Sequence, residues 1–221
     1  MNKVNLLLTA LLMPLSLALS GCSEPQPRNK AVYMLVDVSG SYVKELDKAQ
    51  KLTGYLLTQL DSGDSITLST IDSKSFTQKN TIGQITFDDR PSLVNQQKLQ
   101  MQHLMEDFTK RRTHGSAYTD ISGGVLQAAQ FLHNTPAGEK YLILFSDLAE
   151  DLPHDHTRNL SIKLDGINVV AVNVTKLSTD NLNPQNYIAR IDGWQNLVES
   201  GGGHWRLVND WTQADQMLMK N

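Results

Sequence analysis

The chain has 221 residues and a formal net charge of −3, with 40% hydrophobic and 19% charged residues. This length and balance indicate one globular domain of ordinary size and exclude a disordered or collagen-like chain. The charge also disfavours a nonspecific nucleic-acid binder, and the sequence has no polybasic run that would hold it to an anionic membrane surface.

The amino terminus predicts a secretory signal that ends in a lipidation site. Lys3 supplies a positive start, and the mainly apolar stretch 4–19 that follows is short for a bilayer span. Residues 19–22, Leu-Ser-Gly-Cys, resemble the lipobox of bacterial lipoproteins. In that family the peptide is cleaved before the cysteine, whose sulfur receives a diacylglycerol. Cys22 is the only cysteine of the chain, and lipidation would consume a thiol that has no internal partner.

These signals divide the chain into a signal peptide at 1–21, a lipidated tether at 22–30 and one domain at 31–221. The tether is polar and contains two prolines, which indicates an extended linker. Ser23 is not the aspartate that retains lipoproteins at the inner membrane of enteric-type bacteria. We therefore expect an outer-membrane anchor, with the domain in the periplasm or at the cell surface. An ordinary signal peptide with an incidental cysteine is the alternative.

From residue 31 onward, predicted strands alternate with predicted helices. Strand patterns lie at 31–36, 66–71, 141–145, 167–172 and 205–208, and a weaker alternating pattern at 82–87 predicts an edge strand. Apolar residues at steps of three and four predict helices at 43–60, 101–108, 121–132 and 187–199, and a last short helix is expected at 212–219. This alternation predicts a doubly wound α/β fold with a mostly parallel sheet, and a binding site beyond the carboxyl ends of its central strands.

Three polar clusters lie where that rule places a site. The first strand ends in Asp37, Ser39 and Ser41, Thr119 precedes the helix at 121–132, and Asp147 follows the strand at 141–145. Oxygen donors with no histidine or thiolate among them suit a hard cation such as Mg²⁺. Only the two aspartates carry formal charge, so an ion bound there would stay Lewis acidic on its open side and attract an external carboxylate.

The pattern of Asp37, Ser39, Ser41, Thr119 and Asp147 resembles the metal-ion-dependent adhesion site of von Willebrand factor A (VWA) domains. The resemblance covers the chain from about residue 31 to its end. It implies a doubly wound sheet with one antiparallel edge strand and a bound Mg²⁺ or Mn²⁺ ion. It also implies a non-enzymatic role, in which an envelope or extracellular protein completes the coordination of the metal with an Asp or Glu.

Two departures from the family pattern bear on metal affinity. Leu148 stands where the family often has a glycine after the last aspartate, which narrows the backbone conformations open to that loop. Ala117 and Tyr118 precede Thr119 in place of smaller residues. The alternative is a degenerate site whose hydroxyls serve only to cap helices.

Two other functions remain open. A metal-dependent periplasmic hydrolase would use Asp37 as nucleophile and Asp147 on the metal, although Ser39 replaces the second carboxylate that a phosphotransfer aspartate of the haloacid dehalogenase type requires. The sequence also lacks a G-x-S-x-G elbow, a P-loop and a G-x-G-x-x-G fingerprint. A structural lipoprotein that docks into an envelope assembly without metal is the other possibility.

Histidines and tryptophans supply two further candidate features. His154 and His156, with carboxylates nearby, form a pattern able to bind Zn²⁺, but such a run is more often a solvated loop. Trp194, Trp205 and Trp211 are interpreted as packing residues of the last helices rather than as a partner-binding patch.

Overall fold

The computed structural model describes residues 28–73, 75, 78–153, 161–209 and 218. Its strands are β1 (Lys30–Asp37), β2 (Ser65–Ile71), β3 (Thr81–Thr86), β4 (Glu139–Phe145), β5 (Ile167–Val172) and β6 (His204–Val208). Its α-helices are α1 (Leu46–Thr58), α2 (Pro91–Arg111), α3 (Ile121–Asn134) and α4 (Gln185–Ser200). Short 3₁₀ helices lie at Val43–Glu45, Gln78–Asn80 and Ser178–Asn181.

The strands form one sheet in the order β3-β2-β1-β4-β5-β6. All neighbours pair in parallel except β3, which is antiparallel to β2 at one edge. The predicted doubly wound, mostly parallel sheet with one antiparallel edge strand is therefore confirmed. The chain proceeds from β1 outward to β2 on one side and later returns to β4 on the other. The carboxyl ends of β1 and β4 thus flank the switch point at which such sheets form their sites.

β1 is buried on both faces because its residues point alternately into two cores. Val32, Met34 and Val36 belong to the core that α1 and α2 cover. Tyr33 and Leu35 belong to the opposite core, to which α3 and α4 contribute. A strand covered on both sides has no polar face, which explains the uninterrupted apolar run in the sequence.

The observed helices begin and end near the predicted positions, with one large difference at α2. That helix begins at Pro91, well before the apolar stripe at 101–108. Proline is tolerated in a first helical turn because its missing N–H has no helical partner there. Only Val94, Met101 and Met105 of α2 are buried, so its first turns lack the apolar periodicity that predicts a helix. The helix predicted at 212–219 lies, apart from residue 218, outside the described residues.

The chain enters the sheet on the side where the amino-terminal ends of the parallel strands lie. The Asn29 side-chain Nδ2 donates hydrogen bonds to the carbonyls of Gly63 (3.1 Å) and Pro136 (3.2 Å), in the loops before β2 and β4. The backbone N–H of Lys30 donates to Oδ1 of Asp64 at 2.6 Å. The start of the domain therefore lies at the amino-terminal ends of the strands, opposite the carboxyl ends that flank the switch point. Within the described ranges, no helix combines the length and apolar character needed to cross a membrane.

Candidate metal centre

Asp37, the last residue of β1, lies fully buried beside the end of β4. Its Oδ1 accepts a hydrogen bond from the backbone N–H of Ser39 at 2.8 Å. Its Oδ2 accepts one from the Ser146 hydroxyl at 2.6 Å. β1 and β4 pair in parallel with Val36 opposite Phe145, which brings the residues that follow them side by side. The carboxylate is thus fixed at both oxygens by the parallel pairing of the two strands.

The two serines of the motif lie next to each other where the chain leaves β1. The hydroxyl oxygens of Ser39 and Ser41 are 3.3 Å apart. Ser39 is buried and Ser41 is exposed, so the pair leads from the buried Asp37 carboxylate to solvent. Tyr42 then turns back into the protein, and its ring packs edge-on against Phe145.

Thr119 lies in a loop that backbone hydrogen bonds hold on two sides. On one side the N–H of Ser116 donates to the Val38 carbonyl at 2.8 Å, and the N–H of Gly40 donates to the Ser116 carbonyl at 3.2 Å. On the other side Thr119 and Asp151 exchange backbone hydrogen bonds of 2.8 and 3.0 Å. Thr119 is itself buried. The loop therefore connects the motif after β1 with the segment after β4.

Helix capping does not account for the hydroxyls of this cluster in the described helices. α3 is capped by Asp120, whose Oδ1 accepts from the N–H of Gly123 at 2.9 Å. The other oxygen of Asp120 accepts from the N–H of Ser75 at 3.0 Å. The 3₁₀ helix at Val43–Glu45 and the following α1 have no side-chain cap. The observation weighs against the alternative in which these hydroxyls have only a structural role.

Asp147, directly after β4 and Ser146, is the second buried carboxylate. Its Oδ1 accepts a hydrogen bond from the N–H of Ala149 at 3.0 Å, which closes a turn around Leu148. Leu148 has a φ of 63°, the left-handed region that favours glycine. This conformation costs roughly 1–2 kcal/mol for a residue with a Cβ. The leucine noted in the sequence therefore adopts a strained backbone conformation of the kind that a glycine adopts freely.

Two buried acids dominate the electrostatics of the cluster, and the positive charge of Arg190 acts on one of them, Asp147. Burial raises the pKa of Asp37 to about 6, the hydrogen bonds from Ser146 and Ser39 lower it, and the negative charge of Asp147 raises it. Burial also raises the pKa of Asp147. In the described part of the chain, the ion pairs of lysine and arginine side chains involve neither carboxylate. Buried negative charge that forms no ion pair is costly, and a cation bound by the two acids would offset that cost.

The five predicted ligands thus come from three neighbouring segments at the carboxyl edge of β1 and β4. Two carboxylates and hydroxyl oxygens form the hard donor set that Mg²⁺ and Mn²⁺ prefer. The residues present therefore fit such an ion, with Asp37, Ser39, Ser41, Thr119 and Asp147 as the ligand candidates. Cys22, His154 and His156 lie outside the described residues.

The sequence did not predict the side chains that hold these ligands. Ser146 donates to Asp37, and its hydroxyl also accepts from the N–H of Leu148 at 3.0 Å. Its position between an apolar strand and Asp147 was the available signal. Arg190 and Trp194 of α4 donate to the backbone of the Asp147 loop, at 2.9 and 3.0 Å. No local pattern marks that long-range contact.

Comparison with protein-family models finds no match, and comparison with curated protein sequences finds none either. Solved structures do share the fold. A von Willebrand factor type A protein from Catenulispora acidiphila matches with a TM-score of 0.52 and 14% identity, over 86% of this chain and 41% of that one. The pilus adhesin SpaC from Lactobacillus rhamnosus GG matches with a TM-score of 0.53 and 11% identity, over 90% and 30%. The PilB minor pilin from Streptococcus sanguinis matches with a TM-score of 0.52 and 14% identity, over 90% and 60%.

The sheet order and these structural neighbours define the class: the chain has a VWA-like fold, the α/β sheet with one antiparallel edge strand. It spans less than two thirds of the length of each of the three neighbours.

Proposed function

We propose that this protein is a membrane-anchored module of the bacterial envelope that binds another protein through a divalent metal ion, Mg²⁺ or Mn²⁺, and that it is not an enzyme. The observation that carries this proposal is the pair of buried carboxylates, Asp37 and Asp147, which interact electrostatically and which take part in none of the ion pairs among the described residues. The likeness to a pilus adhesin and a minor pilin supports a role in adhesion or assembly.

The chain's own residues would hold and orient the ion. Asp37 and Asp147 bring two negative charges, and Ser39, Ser41 and Thr119 bring neutral oxygens. When bound, the ion supplies a positively charged coordination position that an external carboxylate can fill. Because two acids would only balance the charge of the ion, and Ser41 at the end of the motif is exposed to solvent, we infer that the partner presents one exposed Asp or Glu. Truncating one side of such a desolvated contact costs about 2–5 kcal/mol.

Anchoring is proposed from the sequence at Cys22. Residues 19–22 resemble a lipobox, and a lipid on Cys22 with several acyl chains exceeds the two-signal threshold for stable membrane attachment. The serine at position 23 favours the outer membrane over the inner one.

A pull-down from detergent-solubilised envelope, run in Mg²⁺ and in EDTA, tests the function. We expect EDTA, Thr119→Ala and Asp147→Ala each to reduce capture of the partner to a similar extent, and EDTA to add little to either variant. Replacing the partner's exposed acid by Ala should reproduce the loss. Asp151→Ala is the matched control, because the contacts of Asp151 with Thr119 run through the backbone alone.

Two results would overturn the proposal. Equal capture by the wild type, Asp147→Ala and the chelated protein would instead indicate a structural lipoprotein that docks without metal. Hydrolysis of a phosphate ester by the Mg²⁺-loaded wild type, lost in Asp37→Asn, would instead indicate a metal-dependent hydrolase.

A further inference from the structure

The turn that carries Asp147 depends on the backbone conformation of Leu148. The N–H of Ala149 reaches back to Oδ1 of Asp147 at 3.0 Å, so Leu148 is the middle residue of a closed turn. Leu148 has a φ of 63° and is buried. If its backbone relaxed to a negative φ, the N–H of Ala149 would rotate away and the Asp147 carboxylate would lose its fixed direction. Something in the fold must therefore hold this residue where a glycine would stay unaided.

Two side chains of α4, one helical turn apart, hold Leu148 in this conformation. Nε of Arg190 donates to the Asp147 carbonyl at 2.9 Å, and Nε1 of Trp194 donates to the Leu148 carbonyl at 3.0 Å. Residues four apart lie on one face of a helix, so a single helix face bonds two successive carbonyls of the turn. Together the two bonds fix the peptide planes on either side of Leu148.

Both donors are themselves fixed. The Arg190 guanidinium forms a partly buried ion pair with Asp180, with Nη2 to Oδ2 at 2.8 Å, and lies over the ring of Tyr187. Trp194 is 8% exposed and belongs to the core between α4 and the sheet. Because these contacts restrict both side chains, their hydrogen bonds restrain the turn at Leu148 to the observed conformation.

We propose that Arg190 and Trp194 are positioning residues that hold Leu148 in its left-handed conformation and thereby fix the direction of the Asp147 carboxylate, a candidate metal ligand. This role rests on the proposed metal-dependent function. It assigns to α4, which supplies none of the candidate ligands, control over the geometry of one of them. It also explains how this chain tolerates a leucine after the aspartate.

Trp194→Phe is the sharpest test, since it removes the N–H and keeps an aromatic ring in the core. We expect it to lower Mn²⁺ affinity, measured by calorimetry on the intact domain, by about fivefold, as the loss of one neutral hydrogen bond implies. Arg190→Lys retains the charge but not the planar donor geometry, and should lower the affinity by about tenfold. Gln195→Ala is the control on the same helix, because it removes an exposed hydrogen bond from Nε2 of Gln195 to Oε1 of Glu199 (2.8 Å), away from the turn. It should leave the affinity unchanged.

Hydrogen exchange of the Ala149 amide, followed by NMR in EDTA, is a second readout that needs no metal. We expect faster exchange of this amide in Trp194→Phe and Arg190→Lys, and unchanged exchange in Gln195→Ala. If both variants only lower the melting temperature, while Mn²⁺ affinity and Ala149 exchange stay as in the wild type, the side chains are structural and the proposal is overturned. If the wild type binds no Mn²⁺, the metal-dependent function fails, and the Ala149 exchange alone decides whether α4 holds the turn.

Discussion

The hydroxyl of Ser146 donates a hydrogen bond of 2.6 Å to Oδ2 of Asp37, between the ends of two parallel strands. The same hydroxyl accepts the N–H of Leu148 at 3.0 Å. One small side chain thus links the carboxylate that ends β1 to the turn that carries Asp147. The relative position of the two acids is set by hydrogen bonds that exist before any ion is bound.

Asp37→Asn should abolish most of the metal affinity while leaving a folded domain. The substitution keeps the size of the side chain but removes one of the two formal charges. With a pKa of about 6 in place of 3.8, the ionised Asp37 costs on the order of 3 kcal/mol at neutral pH in the metal-free state. The free energy of unfolding of Asp37→Asn in EDTA should therefore be no lower than that of the wild type. Calorimetric titration with Mn²⁺ and thermal unfolding measure the two effects. Asp89→Asn, at an exposed position between β3 and α2, is the control, and equal Mn²⁺ binding by Asp37→Asn and wild type would contradict the assignment.

The stability of the metal-free protein should depend on pH through Asp37. Its pKa is raised on folding, from 3.8 to about 6. The stabilisation that this shift adds to the free energy of unfolding is therefore fully present below pH 3.8 and is lost as the pH rises through 6. Lowering the pH from 7 to 5 in EDTA should then raise the unfolding free energy of the wild type relative to Asp37→Asn. Mn²⁺ affinity should change in the opposite direction and weaken below pH 6, because protons compete for the ligand. Parallel pH profiles of the two proteins in urea would show that Asp37 does not titrate in this range.

Gly115→Ala should disturb the site by a purely steric route. A Cβ on Gly115 would overlap the backbone of Gly40, which cannot move aside without separating the Thr119 loop from the serine motif. We expect a lower melting temperature and weaker Mn²⁺ binding. Gly40→Ala is the matched control, since its Cβ would lie 3.9 Å from the Ser116 carbonyl oxygen, an ordinary contact. The packing argument is wrong if both alanine variants bind Mn²⁺ like the wild type.

Cys22→Ser should leave an unprocessed precursor that incorporates no labelled fatty acid, because the cysteine sulfur is the predicted acceptor of the lipid. Ser23→Asp is the informative companion in an enteric-type host. It should keep the label and move the protein from the outer to the inner membrane in fractionated envelopes. Undiminished labelling of Cys22→Ser would rule out lipidation at this residue.

The sequence predicts the sheet well because buried parallel strands need apolar residues on both faces. The runs that became β1 and β4 are continuous for that reason, and only Asn168 interrupts the run that became β5. The weaker alternation at 82–87 became the antiparallel edge strand β3. The start of α2 was missed because its first turns are largely exposed. Pro91 is a local start signal, but the apolar periodicity begins only near Met101.

The sequence predicts those residues of the site that directly follow the ends of strands. Asp37 and Asp147 follow the neighbouring strands β1 and β4, so the topology alone brings them to one edge. The contacts from α4 could not be predicted, since they join side chains and carbonyls more than forty residues apart in the chain. Trp194 was interpreted as a packing residue. It does pack, and its indole N–H also bonds to the Leu148 carbonyl.

The entry of the chain at the amino edge of the sheet determines which way an anchored domain would face. Asn29 and Lys30 form hydrogen bonds with the loops at the amino-terminal ends of the strands. A lipid on Cys22 would therefore be connected to that side of the domain by a tether whose full extension is at most roughly 30 Å. The carboxyl edge would then point away from the lipid headgroups. Attachment on that side would favour orientations in which Asp37 and Asp147 face the aqueous space in front of the membrane.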